Sequence, residues 1–168
     1  EAISSTGAIF TPNSVSFTNA TTVVANFTIG TDGTYFIRVE NPDGLAARSS
    51  SALLTVSDAP TWTTSAGSLG TVAAGASVNF TVAASGDSTI AFSETTSVLT
   101  SNTDTPASTM NLSLNSSTGA ITGTAPGATS ETTYNFTLRA TDAESQTADR
   151  AFSITVSVGV NNSVQFNE

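Results

Sequence analysis

The sequence predicts an all-β chain of two tandem antiparallel β-sandwiches, the first incomplete, and three observations carry that prediction. Short segments alternate apolar and polar residues, as Thr133 to Val156 does; a strand that buries one face and wets the other requires this period of two. The segments are punctuated by Gly, Pro and Asn-Ser turn signals, most densely in Leu112 to Pro126, Leu-Ser-Leu-Asn-Ser-Ser-Thr-Gly-Ala-Ile-Thr-Gly-Thr-Ala-Pro, as all-β domains of many short strands are. A proline-bearing step, Ser57-Asp58-Ala59-Pro60, divides two such series. With 168 residues the chain is long enough for two small cores, since sandwich domains run to about 100 residues each.

In the first unit, residues 1–57, the stretch Phe17 to Ile29 sets Val23, Ala25, Phe27 and Ile29 on one face against Val24, Asn26 and Thr28 on the other, the pattern of a half-buried strand. Thr31-Asp32-Gly33 turns the chain; Tyr35, Ile37 and Val39 then form an inward row, with Phe36, Arg38 and Glu40 facing away. Asn41-Pro42-Asp43-Gly44 is a hairpin turn, with Pro where φ is already set and Gly where the chain bends back. Ala52, Leu54 and Val56 complete a strand against it.

The segments Gly33-Thr34-Tyr35, Val39 to Gly44 and Leu54-Thr55-Val56 resemble the closing strands of the immunoglobulin-like (IPT/TIG-like) domains shared by plexins and transcription factors. The resemblance implies a partial domain whose first strands lie upstream. It also implies that the Tyr35 phenol caps a backbone group, as in the tyrosine corner of sandwich domains, and has no chemical task.

Residues 58–60 form the linker. Pro60 cannot donate to a ladder and restricts the residue before it, so the boundary falls there. So short a connection predicts two domains stacked end to end as a semi-rigid rod.

The second unit, residues 61–158, opens on Trp62, the expected large plug of its core. Ser68 to Val72 forms an edge strand, Ala74-Gly75 turns, and Val78, Phe80 and Val82 alternate with Asn79 and Thr81. Ile90 and Phe92 mark the next strand, and Ser101 to Thr109, with Asp104 and Pro106, reads as a long polar loop. Leu112 and Leu114 lead into the Asn115 to Gly119 turn; Ile121 follows, and Gly123 marks a bulge or a close approach. Tyr134, Phe136, Leu138 and Ala140 then run against Phe152, Ile154 and Val156 across the turn Asp142 to Gln146.

The residues Leu112 to Asn115, Ser117 to Pro126, and Phe136 to Asp142 with Phe152 to Val156 resemble the putative-Ig, cadherin-like repeats of bacterial surface proteins and bacteriophage structural proteins. Where that family often carries a Pro-x-Gly step before the first leucine, this chain has Ser108-Thr109-Met110-Asn111. Residues 159–168 are expected to be a linker or tail to a following segment, and Asn162 to Asn167 is similar to segments of tailed-phage fibre proteins. A chain that starts at Glu1 with its only methionine at Met110 is expected to be a piece of a longer or processed protein.

The chain has no histidine, no cysteine and no lysine; its four basic residues are Arg38, Arg48, Arg139 and Arg150. The usual proton shuttle, the thiolate nucleophile, the Schiff-base amine and every imidazole or thiolate metal ligand are thereby removed. Carboxylate pairs and oxygen-only metal sites remain. A net charge of −9 repels a phosphate backbone, so nucleic acid is not an expected partner. No apolar run approaches the about 20 residues that span a bilayer as a helix, and no membrane association is expected. Without cysteine the sheets rely on packing alone, which suits a bacterial surface protein or a virus component folded in a reducing cytoplasm.

Calcium is the metal to weigh, because cadherin-like domains hold it with paired carboxylates; Asp58, Asp142, Glu144 and Asp149 are the candidate ligands. The dense acidic motifs of such sites are not visible, and Asp142 is explained as a turn residue bonding its own backbone. No metal, cofactor or catalytic residue is assigned. Asp32, Asp43, Asp87 and Asp104 fall in turns and at strand ends and are read as solvated carboxylates, whereas acid catalysis requires two acids facing each other across a cleft. Asn19, Asn26, Asn79, Asn111, Asn115, Asn135 and Asn161 each open an Asn-x-Ser/Thr triplet; strand alternation already accounts for the three of the form Asn-Phe-Thr.

The expected role is a non-enzymatic structural or weak adhesion module of a phage virion appendage, a tail or head fibre or capsid-associated protein, acting as spacer or host-surface binder. A segment of a bacterial cell-surface adhesin is the first alternative. A carbohydrate-binding accessory module is the second, and it would need an exposed aromatic platform, whereas alternation sends Tyr35 and Tyr134 inward. Expected partners are other virion or surface-protein subunits and host-surface glycans; the expected location is the virion, alternatively the bacterial cell surface.

Overall fold

A computed structural model describes residues 1–101 and 108–159, which form strands, turns and loops with no helix among them. The centre of the loop expected from Ser101 to Thr109, with Asp104 and Pro106, and the tail from Val160 onward lie outside the described residues. The chain divides into two compact units, Glu1–Asp58 and Ala59–Glu168.

In the first unit, β1 (Ala2–Ser4) lies between β2 (Ile9–Phe10) and β5 (Gly33–Glu40), and β6 (Ala46–Arg48) and β7 (Leu54–Val56) both pair with β5. The Asn41 to Gly44 turn is closed by the Gly44 amide donating to the Asn41 carbonyl at 2.9 Å, and the Asp43 carboxylate accepts from the Leu45 amide at 3.0 Å. The core is small: Ala2 and Tyr35 are its fully covered apolar side chains. Phe10 meets the Tyr35 ring edge-on at 5.3 Å. The row expected to continue inward through Val39 is covered at Tyr35 and opens toward its end, with Val39 51% exposed.

The stretch Phe17 to Ile29 departs from expectation. It contributes to a hairpin of β3 (Ser14–Asn19) and β4 (Thr22–Asn26), which pair only with each other among the described residues. Val23 is 47% and Phe17 73% exposed, so the strand is not half-buried. Alternation makes a face coverable, but burial needs a second layer on it, and none closes over this hairpin to core density.

The second unit is a closed sandwich. One sheet runs β10 (Ser77–Thr81), β14 (Ala120–Thr124), β13 (Ser113–Leu114); the other runs β12 (Ala91–Glu94), β15 (Thr132–Thr141), β16 (Thr147–Ser157), β9 (Gly67–Ala73). A short pair, β8 (Thr61–Trp62) with β11 (Ala84–Ser85), adds to it. All pairings are antiparallel except β9 with β16. The expected all-β antiparallel architecture is thus found with one parallel edge added: β9 and β16 are far apart in sequence, and the intervening chain supplies the crossover that a parallel pair needs.

The register Tyr134↔Ile154 and Phe136↔Phe152 stacks the inward residues of β15 and β16, and these four are buried with Leu138, Ala140 and Val156. Trp62 plugs this layer as expected, 5.3 Å from Phe152 and 5.6 Å from Phe92, with its indole N–H donating to the Ala148 carbonyl at 2.9 Å. Each such covered large side chain stabilises the fold by about 1.5–3 kcal/mol relative to exposure. Gly123 is a close approach: a Cβ there would lie 2.8 Å from Leu112 Cδ2. Leu99 and Met110 also reach the core, flanking the segment read as a polar loop.

Candidate functional site

Two sheet registers bring distant acids together. Pairing of Thr141 with Thr147 leaves 142–146 as the β15–β16 turn, and pairing of Ala91 with Thr141 lays the loop before β12 beside it. Asp87, Asp142 and Glu144 each present a carboxylate oxygen there, all within 4.8 Å of one another. Asp142 is buried, and its Oδ1 accepts from the Gln146 amide at 2.7 Å. Ser88 Oγ donates to Glu144 Oε2 at 2.6 Å and accepts from the Ala143 amide at 3.0 Å, tying the two loops. Ser145 takes the left-handed backbone that the tight turn demands, at φ 70°.

Hard oxygen donors of this kind suit calcium by type, but calcium takes six to eight oxygens. Three carboxylates carry at most six oxygens, of which Asp142 Oδ1 and Glu144 Oε2 already accept from the Gln146 amide and the Ser88 hydroxyl. The turn hydrogen bonds account for Asp142 directly.

The other candidate ligands go elsewhere. Asp149 is held by Arg139 through Nε at 2.7 Å and Nη2 at 2.8 Å, and this bidentate bond, with the guanidinium charge, keeps its carboxyl below the usual range despite some desolvation. Asp58 ends the first unit, outside the acidic cluster. Asp87, read from sequence only as a turn acid, joins the cluster instead. Its signal was the register of β12 on β15.

A depression of about 360 Å³ over β15 and β16 is lined by Asn135, Phe136, Thr137, Phe152 and neighbours, with no ionisable side chain. A second, of about 270 Å³ beside the β3–β4 hairpin, contains Glu1 and Glu40, but both bond Arg38, at 2.8 and 2.5 Å. Neither sets two free carboxyls across a gap, the geometry that hydrolysis by paired acids uses.

The aromatic side chains are largely committed to structure. The Tyr35 hydroxyl donates to the Thr31 carbonyl at 2.5 Å, four residues upstream, which is the tyrosine-corner contact. Tyr134 and Trp62 are buried. Phe36 lies under the Arg48 guanidinium at 4.4 Å, and Phe17, on β3, projects into solvent. With Ile9, Val15, Val23 and Val24 it gives the first unit an apolar surface that sequence alternation alone did not foretell. Asn26, Asn79 and Asn135 all face outward, and Asn115 is occupied by accepting from the Ser117 and Thr118 amides at 3.0 Å. Asn161 lies outside the described residues.

Residues 59–157 match the family model described as Putative Ig domain. No curated protein matches the chain. Among solved structures, it is similar to a chimeric titin Z1Z2 protein carrying a decorin peptide, at 19% identity and TM-score 0.39 over 62% of this chain and 100% of the other. It is also similar to the protocadherin gamma B4 extracellular domain, at 19% identity and TM-score 0.41 over 89% of this chain and 26% of the other. Domains 3–5 of the Drosophila OTK extracellular region align at 13% identity and TM-score 0.44, over 95% of this chain and 51% of the other. The chain thus spans about half of the OTK fragment and about a quarter of the protocadherin.

Proposed function

The chain belongs to the Putative Ig domain family through residues 59–157, and on that premise we propose that it is a non-enzymatic structural module of a tailed-phage appendage. It serves there as a spacer or weak host-surface binder in a tail fibre, head fibre or capsid-associated protein. The observation that carries this reading is where the acids sit. Among the described residues, Asp142, Glu144 and Asp149 sit in turns or on strands, bonded to a backbone amide, a serine and an arginine, while the second unit's interior is closed by apolar packing. Among the described residues such a layout favours a passive structural role.

The first unit is proposed to be an IPT/TIG-like domain in partial form. The Tyr35 corner and the Asn41 to Gly44 turn support this, and its exposed apolar hairpin suits a part that works within a larger assembly. Other subunits of the virion or surface protein are the proposed partners, with host-surface glycans as the target of weak binding. Immunogold labelling with antibodies raised against the chain tests the reading: label on particle appendages is expected. Label confined to the bacterial envelope would replace it with the surface-adhesin alternative, and turnover of any glycan by the purified chain would overturn the non-enzymatic assignment.

A further inference from the structure

We infer that Glu94 is an acid-released latch that holds the loop 95–101 against the second sandwich. Glu94 ends β12 two residues after Phe92, so strand alternation aims its carboxylate to the side of the sheet on which Phe92 is buried. The loop curls around that charge. Oε1 accepts from Thr96 Oγ1 at 2.9 Å and from the Val98 and Leu99 amides at 2.6 and 2.8 Å. Oε2 accepts from the Thr100 amide at 3.0 Å and from Thr100 Oγ1 at 2.9 Å. Ser97, at φ 57°, supplies the left-handed step that turns successive amides toward one point, the geometry of an anion-binding nest.

What the latch holds is part of the core. Leu99 is fully buried, and the Val98 and Leu99 carbonyls accept from the Met110 and Leu112 amides, each at 2.8 Å. The loop thus pins the returning segment that leads into β13. On the sheet side, the Thr95 amide donates to the Thr137 carbonyl at 3.0 Å.

No second charge balances Glu94 among the described residues. Leu138 stands opposite it on β15, and neither 95–101, 108–112 nor β13 carries an ionisable side chain. On β15, Arg139 is bonded to Asp149 of β16, and Arg150, which the β15–β16 register sets beyond Leu138 in the same cross-strand row, donates to the Thr64 carbonyl at 2.7 Å. The carboxylate is therefore held by hydrogen bonds alone. Burial pushes its pKa up, but bonds from Leu99, Thr100 and Val98 outweigh this and set it below the usual glutamate value. The sign follows: the latch is closed wherever Glu94 is ionised, and its contribution is lost as pH falls through the depressed folded value. Protonation turns one acceptor oxygen into a donor facing donors. The device answers strong acid, not a mildly acidic compartment.

Residue-resolved hydrogen exchange on the full chain, corrected for intrinsic rates, tests this at about pH 6 and about pH 2.5, either side of the carboxylate range. Protection of the Val98, Leu99 and Thr100 amides is expected to fall by about tenfold or more in acid, while Phe136 and Phe152 in the β15–β16 ladder hold theirs. Glu94→Gln is expected to show the low protection at both pH values. Unchanged protection of the three amides in acid overturns the latch, as does a wild-type pH response in the variant. If the variant does not fold, carboxyl titration by NMR in the unaltered protein decides: a Glu94 value below ordinary glutamate is required, and an ordinary or raised one refutes it.

Discussion

Gly119 is the position where one added methyl should cost most. It ends the Asn115 to Gly119 turn with φ +68°, and its carbonyl accepts from the Val82 amide at 3.0 Å, extending the β10–β14 ladder. A Cβ there would sit 2.2 Å from the Val82 carbonyl oxygen and 3.1 Å from its carbon. The obstacle is backbone, held by the ladder on both sides, so it cannot swing aside as a side chain would. Left-handed backbone costs an alanine about 1–2 kcal/mol, and forcing an atom into filled space costs about 1–3 kcal/mol more. A total of about 3 kcal/mol is expected for Gly119→Ala, and at about 4–8 °C per kcal/mol for a domain of this size the melting temperature falls by about 12–24 °C. Trp62, the sole tryptophan, lies in the second unit's core, so its fluorescence follows the unfolding of that unit. Gly127→Ala is the matched control, because a Cβ at Gly127 meets nothing within 4 Å; it should stay within about 0.5 kcal/mol of the parent. If Gly119→Ala melts within about 3 °C of that control, under 1 kcal/mol, the close-packing argument is wrong.

Tyr35→Phe keeps the ring and deletes the donor to the Thr31 carbonyl, so the first unit should lose about 1 kcal/mol, read from urea titration of first-unit amides by NMR; no loss would make the corner ornamental. Calcium is expected to leave thermal stability unaltered, with melting in excess chelator and in millimolar calcium agreeing within about 1 °C, and a clear rise in calcium that Asp142→Asn abolishes would assign the Asp87, Asp142 and Glu144 cluster as a cation site. Arg139→Gln should move the Asp149 carboxyl up toward its ordinary value in an NMR titration. Because the native value is depressed, the pair's contribution is present above the unfolded value and disappears as pH falls through the native one. Both side chains are more than two-fifths exposed, so the accompanying change in stability is small.

The second unit was legible because each of its local signals agreed with the fold. Alternation in Tyr134 to Ala140 and Phe152 to Val156 named the buried rows, the Asn115 to Gly119 turn chemistry set where β14 begins, and Trp62 had one large cavity to fill. Consistency across such levels is what makes a sequence specify one structure. Less legible were contacts made through tertiary register. Leu99 and Met110 flank a polar stretch with no period of its own, and their burial depends on Glu94 drawing the loop inward. The acidic cluster joins residues more than fifty positions apart, which only the pairing of β12 with β15 could reveal.

The first unit shows where alternation stops being informative. A period-two pattern states that a strand has two chemically different faces, and it carries no information on whether a second sheet covers the apolar one. In the second unit that question answers itself, because the inward residues of its two sheets meet in one apolar core. In the first, β5 is bordered by short strands, and the apolar residues of β3 and β4 outnumber the surface that closes over them. Val23 and Val24 are both substantially exposed although they lie on opposite faces, a result that no single-sheet pattern predicts. A unit with so small a core gains little from hydrophobic burial. Its stability must lean on hydrogen-bonded fixtures such as the Tyr35 corner and the Arg38 pairs with Glu1 and Glu40.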